Sequence, residues 1–366
     1  MKFVIAPDSY KNCLKATQVA EAMQKGLLSI YPDAETILIP LADGGEGTTE
    51  AIINATNGTI YKCPAHDPLM REIEAFYGIT GDGETAVVEV AAASGIELLK
   101  SSELDVLNAS SFGSGEVINA AIAKSNIKTL FIGLGGSATN DGGVGILQAL
   151  GGEFFDKQGR IIPLGISGKD LINIESINLD KLNPRLQECR IIVGCDVKNP
   201  LTGDNGASAV FGPQKGATPE MVKFLDSGLA NFRCNRQELP GDGAAGGIAF
   251  MLRNFLNAEI ISGAESLLRL TNFERKIQNA SLVLTGEGKS DSQTIEGKLC
   301  SVIAECAKKH AINSALISGA IRDKEVLSKL FKYIIQVTPD NMDKESAFAQ
   351  APELIKKAVQ KLAEKI

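Results

Sequence analysis

The alternation of apolar and polar positions predicts strands separated by helices at both ends of the chain. Near the N-terminus, apolar strands at 3–6 and 36–40 flank a helical pattern at 17–30. After about residue 280 the same alternation returns and continues to a final amphipathic helix at 345–365. Strands separated by helices are typical of a parallel sheet that is covered on both faces.

The middle of the chain follows a different rhythm. Segments 59–63, 72–79 and 85–90 are short and strand-like, with Gly and Asp between them, which predicts a mixed or antiparallel insert. Longer apolar strands then return at 128–133 and 190–194, and each runs into a loop rich in Gly, Asp or Asn.

These patterns predict an α/β fold with two domains, a number that the length of 366 residues also favours. Both chain ends, residues 1–63 and 272–366, are expected to form one discontinuous flavodoxin/Rossmann-like domain with a parallel sheet. Residues 64–271 are expected to form an inserted mixed α/β domain. We see no internal repeat and no low-complexity linker between them.

Composition narrows the class of protein. A hydrophobic content of 44% and a charged content of 22% exclude a disordered chain. The net charge of −7 disfavours nucleic acid and anionic membranes as partners. No run approaches the 18 apolar residues or so that a membrane span needs.

The cysteines and histidines indicate a reducing compartment and argue against a metal site of the zinc type. The chain has seven Cys without a CxxC pair and only two His, His66 and His310. His310 is expected at the C-terminus of a helix, in a capping or surface role. Small buried thiols in a reducing cytoplasm are therefore the simplest interpretation.

Five loops share one design, in which Asp or Glu lies beside Gly or small hydroxyl residues after an apolar strand. They span residues 8–11, 43–48, 135–143, 196–200 and 286–291. Ligands of open α/β sheets bind at the carboxyl ends of strands. Glycine lets backbone N–H groups approach phosphate, carboxylates can hold Mg²⁺, and lysine offers phosphate a point charge. Any one loop is also typical of a simple turn, but together they predict a phosphate or metal site.

Two common nucleotide motifs fit the loops less well. Gly288-Lys289-Ser290 is not a Walker A loop, because Val283 stands where that motif needs glycine. Residues 133–138 match the dinucleotide pattern G-x-G-x-x-A, and Glu153 lies at the expected distance for a ribose ligand. An NAD(P)-dependent oxidoreductase is therefore one alternative, although the following TNDGG delays the helix. A non-catalytic protein that binds a nucleotide or an organic acid is another.

Taken in order, the loops resemble the type I glycerate kinase family, bacterial kinases that phosphorylate D-glycerate. The matching strings span nearly the whole chain and are APDSYK (6–11), LADGGEGT (41–48), SFGSGE (111–116), GLGGSATNDGG (133–143), CDVKNPLTG (195–203), FGPQKGA (211–217), GAAGG (243–247) and TGEGKSDSQTIEGK (285–298). The chain has Tyr10 where the family often has Phe, and Lys289 where it often has Arg. Neither departure removes a catalytic group.

The resemblance implies ATP-dependent phosphorylation of glycerate by a cytoplasmic enzyme, with the active site in a cleft between two α/β domains. ATP, Mg²⁺ and D-glycerate are the expected ligands, with no nucleic acid or membrane partner. The 2-position is the favoured acceptor, which would give 2-phosphoglycerate. Monomer and homodimer both stay open.

Phosphoryl transfer depends on positioning, charge neutralisation and an oriented nucleophile, which suggests a role for each loop residue. Asp196 is our first choice for the base that orients the attacking hydroxyl, and Asp291 is the second. We predict catalytic roles for Asp196, Asp291 and Lys298; metal binding by Asp43 and Glu287, with Asp8 as a further candidate; and substrate or phosphate binding by Asp8, Ser9, Lys11, Gly44, Gly45, Gly135, Gly136, Ser137, Asn140, Asp141, Lys215 and Thr294.

Overall fold

The computed structural model describes residues 1–41, 47–295 and 297–366. Asp43, Gly44 and Gly45, which the sequence predicts as metal or phosphate ligands, lie outside the described residues. The chain divides into two compact units: a terminal unit of residues 1–43 and 264–366, and a central unit of residues 44–263. None of the described helices is both long and apolar enough to cross a membrane.

The described residues form the following strands and α-helices. The strands are β1 (Lys2–Ile5), β2 (Glu35–Leu38), β3 (Thr59–His66), β4 (Glu72–Ile79), β5 (Thr85–Glu89), β6 (Thr129–Gly133), β7 (Glu153–Phe155), β8 (Ser176–Asn178), β9 (Arg190–Gly194), β10 (Glu259–Ile261), β11 (Leu282–Thr285), β12 (Lys289–Ser290), β13 (Ser314–Ser318), β14 (Ala320–Ile321) and β15 (Tyr333–Gln336). The α-helices are α1 (Ala16–Leu28), α2 (Thr48–Thr56), α3 (Ala91–Ser94), α4 (Phe112–Ile122), α5 (Val144–Ala149), α6 (Arg185–Glu188), α7 (Ala207–Phe211), α8 (Pro219–Arg233), α9 (Ile248–Leu256), α10 (Gly263–Leu270), α11 (Phe273–Lys276), α12 (Leu299–Lys309), α13 (Lys324–Leu327), α14 (Lys344–Ala349) and α15 (Ala351–Ala363).

The terminal unit is built on a five-stranded sheet in the order β15-β13-β11-β1-β2, and all its neighbouring strands are parallel. Numbered along this unit alone, the order is 2-1-3-4-5, which is the flavodoxin-like arrangement. Phe3, Val4 and Ile5 of β1 are fully buried, as expected for a central strand covered on both faces. The parallel sheet predicted from the two chain ends is therefore confirmed.

Two long helices, α1 and α15, cover one face of this sheet. Val19 and Met23 of α1 and Ile355 and Val359 of α15 belong to the same buried cluster as Phe3. The two helices approach closely at Gly26, where a Cβ atom would come within 2.6 Å of the Lys356 carbonyl oxygen. Gly26 therefore lets α1 and α15 pack without a gap.

The central unit is built on a six-stranded mixed sheet in the order β10-β9-β6-β5-β4-β3. The strands from β10 to β5 are parallel, whereas β4 runs antiparallel to both β5 and β3. The predicted mixed α/β insert is confirmed. Because β3 pairs with β4 over its whole length, from Thr59 opposite Ile79 to His66 opposite Glu72, β3 belongs to this unit. The unit boundaries accordingly fall at 43/44 and 263/264, whereas the sequence analysis places them at 63/64 and 271/272.

Two helix predictions need correction. The single helix predicted at 345–365 is two helices, α14 and α15, separated at Gln350. Pro352 occupies the first turn of α15, where a residue without an N–H group fits best, so a new helix starts here. The sequence also predicts a helix at 244–256, but α-helical structure begins only at Ile248, because Ala245 and Gly246 adopt left-handed backbone conformations.

Candidate functional site

A pocket of about 370 Å³ lies in the central unit, at the carboxyl ends of β6 and β9. The loop after β6 contributes residues 134–137, and the end of β9 with its following loop contributes residues 194–197. The other lining residues are Ile96, Phe211, Gln214, Lys215, Ala244 and Ala245. The carboxyl ends of parallel strands are where α/β sheets bind their ligands, so the pocket is in the expected place.

Lys215 brings a buried cation to this pocket. Its residue is only 2% exposed. Its Nζ donates hydrogen bonds to Ser137 Oγ at 2.8 Å and to the Thr139 carbonyl at 2.7 Å. An ammonium group has three N–H donors, so these two bonds among the described residues leave one donor for a ligand. Burial lowers the pKa of Lys215 to about 7, and the nearby Asp141 carboxylate opposes that shift.

Asp141 is a buried residue that supports the loop after β6 by hydrogen bonds. Its buried carboxylate accepts hydrogen bonds from the Ser111 N–H and hydroxyl groups at 2.8 and 2.7 Å, and from the N–H groups of Gly143 and Gly145 at 3.0 and 3.3 Å. Burial raises the pKa of Asp141, and these hydrogen bonds oppose the rise. Asp141 does not line the pocket, so its visible role is to fix the loop that carries Ser137.

The other predicted residues of this loop divide between the pocket and its support. Gly135 and Gly136 line the pocket, and Gly136 has a φ of 71°, a conformation that favours glycine. Asn140 is fully buried, and its Nδ2 donates to Ser208 Oγ at 2.9 Å. Asn140 thus ties the loop to α7.

Asp196 brings an exposed carboxylate to the same pocket from the end of β9. Its Oδ1 accepts a hydrogen bond from the Gly263 N–H at 2.9 Å, at the start of α10. This contact orients the carboxyl group while leaving it open to solvent. Ser137, Asp196 and Lys215, predicted from three separate segments of the chain, therefore line one pocket.

The sequence analysis did not predict that Ala244 and Ala245 form part of the pocket wall. Ala245 has a φ of 52°, which is unusual for a residue with a side chain. Strain of this kind costs about 1–3 kcal/mol and concentrates at functional sites. The next residue, Gly246, packs against the Thr139 carbonyl, and a Cβ atom there would lie 2.2 Å from that oxygen. The string GAAGG was the only signal available.

The terminal unit presents a second group of predicted residues, at the switch point of its sheet between β1 and β11. The loop after β1 carries Asp8 and Ser9, and the loop after β11 begins with Gly286 and Glu287. The two loops are joined by the Asp8 N–H, which donates to the Gly286 carbonyl at 2.8 Å. Asp8 is buried, with a relative exposure of 6%, and its Oδ1 accepts from the Ser9 N–H at 2.5 Å.

Hydroxyl groups hold the Glu287 carboxylate in a defined orientation. Its Oε1 accepts hydrogen bonds from Ser290 Oγ at 2.9 Å and from Thr294 Oγ1 at 2.7 Å. Ser290 Oγ in turn lies 2.7 Å from Ser318 Oγ at the end of β13. Thr294, which the sequence predicts as a substrate or phosphate ligand, therefore donates its hydroxyl hydrogen bond to the Glu287 carboxylate in this structure.

Asp291, Lys298 and Lys11 complete the predicted set in the terminal unit. The Lys289 ammonium lies 3.1 Å from Asp291 Oδ2, and this contact is the main reason that the pKa of Asp291 is lowered. Lys298 immediately precedes α12 and also lowers the pKa of Asp291 through its charge. Lys11 is exposed in the turn after β1.

The dinucleotide alternative lacks its structural context. A dinucleotide fold starts its helix within the glycine motif, whereas α5 begins only at Val144, well after Gly133. Glu153, the expected ribose ligand, lies in β7 of a separate two-stranded sheet and accepts from Lys181 Nζ at 2.7 Å.

Comparisons with known proteins agree on one family. A family model described as "Glycerate kinase family" matches residues 3–366. "Glycerate 2-kinase" of Escherichia coli (strain K12) is 46% identical over 331 residues, covering 88% of this chain and 86% of its own length. "Glycerate kinase" of Bacillus subtilis (strain 168) is 41% identical over 376 residues, covering 100% and 98%. A crystal structure assigned to glycerate kinase 2 from Salmonella typhimurium LT2 matches with a TM-score of 0.86 at 41% identity, covering 100% of this chain and 98% of that one.

Proposed function

Because the chain belongs to the glycerate kinase family, we propose that it transfers the γ-phosphoryl group of ATP to a hydroxyl of D-glycerate. The protein is an enzyme, a phosphotransferase with an alcohol group as acceptor. The observation that carries the proposal is the buried Lys215 ammonium in the central pocket, which the Asp196 carboxylate also lines. The pair offers a cation for the glycerate carboxylate and a base for its hydroxyl.

The central pocket is our proposed glycerate site. Its volume of about 370 Å³ lies within the range of small-molecule sites, roughly 300–1,000 Å³. Hydrogen bonds to Ser137 and Thr139 hold Lys215 in place before a ligand binds. A charge fixed in advance by hydrogen bonds within the protein binds an anion at little cost in ordering.

Asp196 is our proposed base for the attacking hydroxyl. Its carboxyl group is oriented by the Gly263 N–H at Oδ1, and within the described parts of the chain Oδ2 is left for a substrate hydroxyl. Asp291 and Lys298 stay as the further catalytic candidates. Kinases gain most of their rate from positioning and charge stabilisation, so a correctly oriented carboxylate is sufficient for this role.

The terminal unit carries our proposed Mg²⁺ ligands. Asp8 accepts a hydrogen bond from the Ser9 N–H, and Glu287 accepts from the Ser290 and Thr294 hydroxyls. Both supply carboxylate oxygens, and hard oxygen ligands are those that Mg²⁺ prefers. Asp43 would be a third ligand. When bound, the ion would neutralise charge on the nucleotide phosphates.

We place the phosphate on the 2-hydroxyl and the enzyme in the cytoplasm. The Escherichia coli relative is named a 2-kinase, which supports that regiochemistry. No disulfide links the seven cysteines, all of which lie in the described part of the chain, as expected for a reducing compartment.

A coupled assay for ADP with purified protein, ATP, Mg²⁺ and D-glycerate tests the activity. We expect ADP release that requires D-glycerate, and release no faster than the glycerate-free background would contradict the proposal. A ³¹P NMR spectrum of the product separates 2-phosphoglycerate from 3-phosphoglycerate.

A further inference from the structure

Three side chains of the terminal unit that no proposed catalytic role uses meet between α11 and α12. They are Glu274, Cys306 and His310, and one ligand atom of each lies within 4.8 Å of the other two. The His310 Nε2 and Glu274 Oε1 atoms are 3.4 Å apart.

Local structure explains why these three side chains lie close together. Cys306 and His310 lie four residues apart at the C-terminal end of α12, and this spacing puts them on the same face of a helix. Glu274 comes from α11, which starts directly after Asn272 in a left-handed conformation. Cys306 is 8% exposed, whereas the Glu274 and His310 side chains are 71% and 34% exposed. An ion could therefore reach the sulfur from solvent past the other two side chains.

We propose that Glu274, Cys306 and His310 form a binding site for a divalent transition metal ion of the Zn²⁺ class. Thiolate, imidazole and carboxylate are the three ligand types of protein zinc sites. A tetrahedral Zn²⁺ ion needs these ligand atoms about 3.3–3.6 Å apart, given bond lengths near 2.0–2.3 Å. The His310–Glu274 separation of 3.4 Å already meets that requirement, and water would take the fourth position.

The ligand types separate this site from the proposed Mg²⁺ ligands. Mg²⁺ prefers oxygen ligands and is poorly matched by sulfur and imidazole, whereas thiolate selects softer ions. The sequence indicated no zinc site because it contains no CxxC pair and Glu274 is far from Cys306 along the chain. The arrangement of α11 and α12 in the fold brings Glu274 close to Cys306 and His310.

Metal binding here would displace a proton. Burial raises the pKa of the Cys306 thiol, Glu274 raises it further and Lys309 opposes the rise. The sulfur is therefore protonated at neutral pH without a metal. Formation of the metal–sulfur bond releases that proton to solvent, so apparent affinity increases with pH.

Co²⁺ is the probe for the first test, because a thiolate ligand gives it a near-ultraviolet charge-transfer band and tetrahedral geometry gives strong visible bands. Untagged full-length protein should develop both bands with one equivalent of Co²⁺, and Zn²⁺ should displace them. His310→Gln and Cys306→Ser should each weaken binding by at least about 10-fold, since loss of even an outer partner of a metal ligand costs 10–100-fold.

Matched controls are Cys234→Ser and His66→Gln, which change the same residue types elsewhere and should leave binding unchanged. Circular dichroism spectra of all variants should match that of the wild type, which checks that each variant folds. Zn²⁺ should also raise the Tm of the wild type but not that of His310→Gln. The absence of a charge-transfer band in the wild type would overturn the proposal. So would bands in both His310→Gln and Cys306→Ser that are as strong as those of the wild type.

Discussion

Each unit orients one charged side chain near the carboxyl ends of its strands by hydrogen bonds, and these two charges differ in sign. In the central unit a buried ammonium, Lys215, lies between a serine hydroxyl and a backbone carbonyl. In the terminal unit a carboxylate, Glu287, is held by two hydroxyl groups. The first arrangement is suited to an anion such as glycerate, and the second to a cation such as Mg²⁺. The contrast shows that similar Gly- and Asp-rich loops can orient side chains of opposite charge.

Burial accounts for much of this difference. An exposed lysine binds anions weakly because water and salt screen its charge. Lys215 is removed from that screening, at the cost of a pKa lowered to about 7. A ligand carboxylate would restore the charged form, so the pocket should bind an anion and a proton together.

The largest effect is expected for Asp196→Asn. Loss of the base should lower kcat by about 100- to 10,000-fold, the usual scale for acid–base groups. Steady-state kinetics at saturating ATP and glycerate measure it. Asp204→Asn is the control, because Asp204 is exposed in the same region and outside the pocket. A kcat near the wild-type value would remove Asp196 from this role.

Lys215→Met should raise the KM for glycerate by roughly 10- to 150-fold. This range corresponds to the free energy that a hydrogen bond to a charged group contributes. The KM for ATP should change little if the central pocket binds glycerate alone. Methionine was chosen because it retains the apolar volume of the buried aliphatic part of the lysine side chain. The exposed Lys198→Met serves as the control. A rise confined to the KM for ATP would reverse the assignment of the two units.

Glu287→Gln should shift the Mg²⁺ dependence instead. Removing one ligand charge should require roughly 10-fold more Mg²⁺ for half-maximal activity, because ligand charge tunes the affinity of such sites. Activity is measured across a Mg²⁺ titration, with the exposed Glu325→Gln as the control. An unchanged Mg²⁺ dependence would exclude Glu287 as a ligand.

The smallest effect concerns pH. Because the pKa of Lys215 is about 7, the free enzyme loses the ammonium charge above that pH, and the KM for glycerate should rise by up to about 10-fold per pH unit. The variant Lys215→Met should lose this dependence. A flat profile in the wild type would argue against Lys215 as the anion ligand.

The same pKa sets the sign of a stability change. Between about 7 and the ordinary value of 10.5, the unfolded chain binds a proton at Lys215 that the folded chain does not. The free energy of unfolding contributed by this residue therefore rises with pH across that window and is lost as pH falls.

Local patterns predicted much of the fold. The strands predicted at 128–133 and 190–194 match β6 and β9, because short apolar runs between turn residues are typical of buried parallel strands. The final helix was predicted too long, since its apolar spacing continues across the break at Gln350.

The site was less accessible to sequence reasoning because it depends on contacts between distant residues. Asp141 and Asp196 have the same side chain after similar strands, yet one is buried under four hydrogen bonds and the other is exposed in the pocket. The contact of Lys215 with Ser137 spans 78 residues. Only the folded arrangement separates a loop support from a pocket residue.

Calorimetric titration of D-glycerate into the wild type and Lys215→Met, in two buffers that differ in ionisation enthalpy, tests the central claim most directly. Above pH 7 we expect the wild type to bind glycerate with uptake of protons, and Lys215→Met to bind far more weakly without uptake. Equal affinity in both proteins, with no proton uptake in either, would contradict the assignment of the central pocket to glycerate.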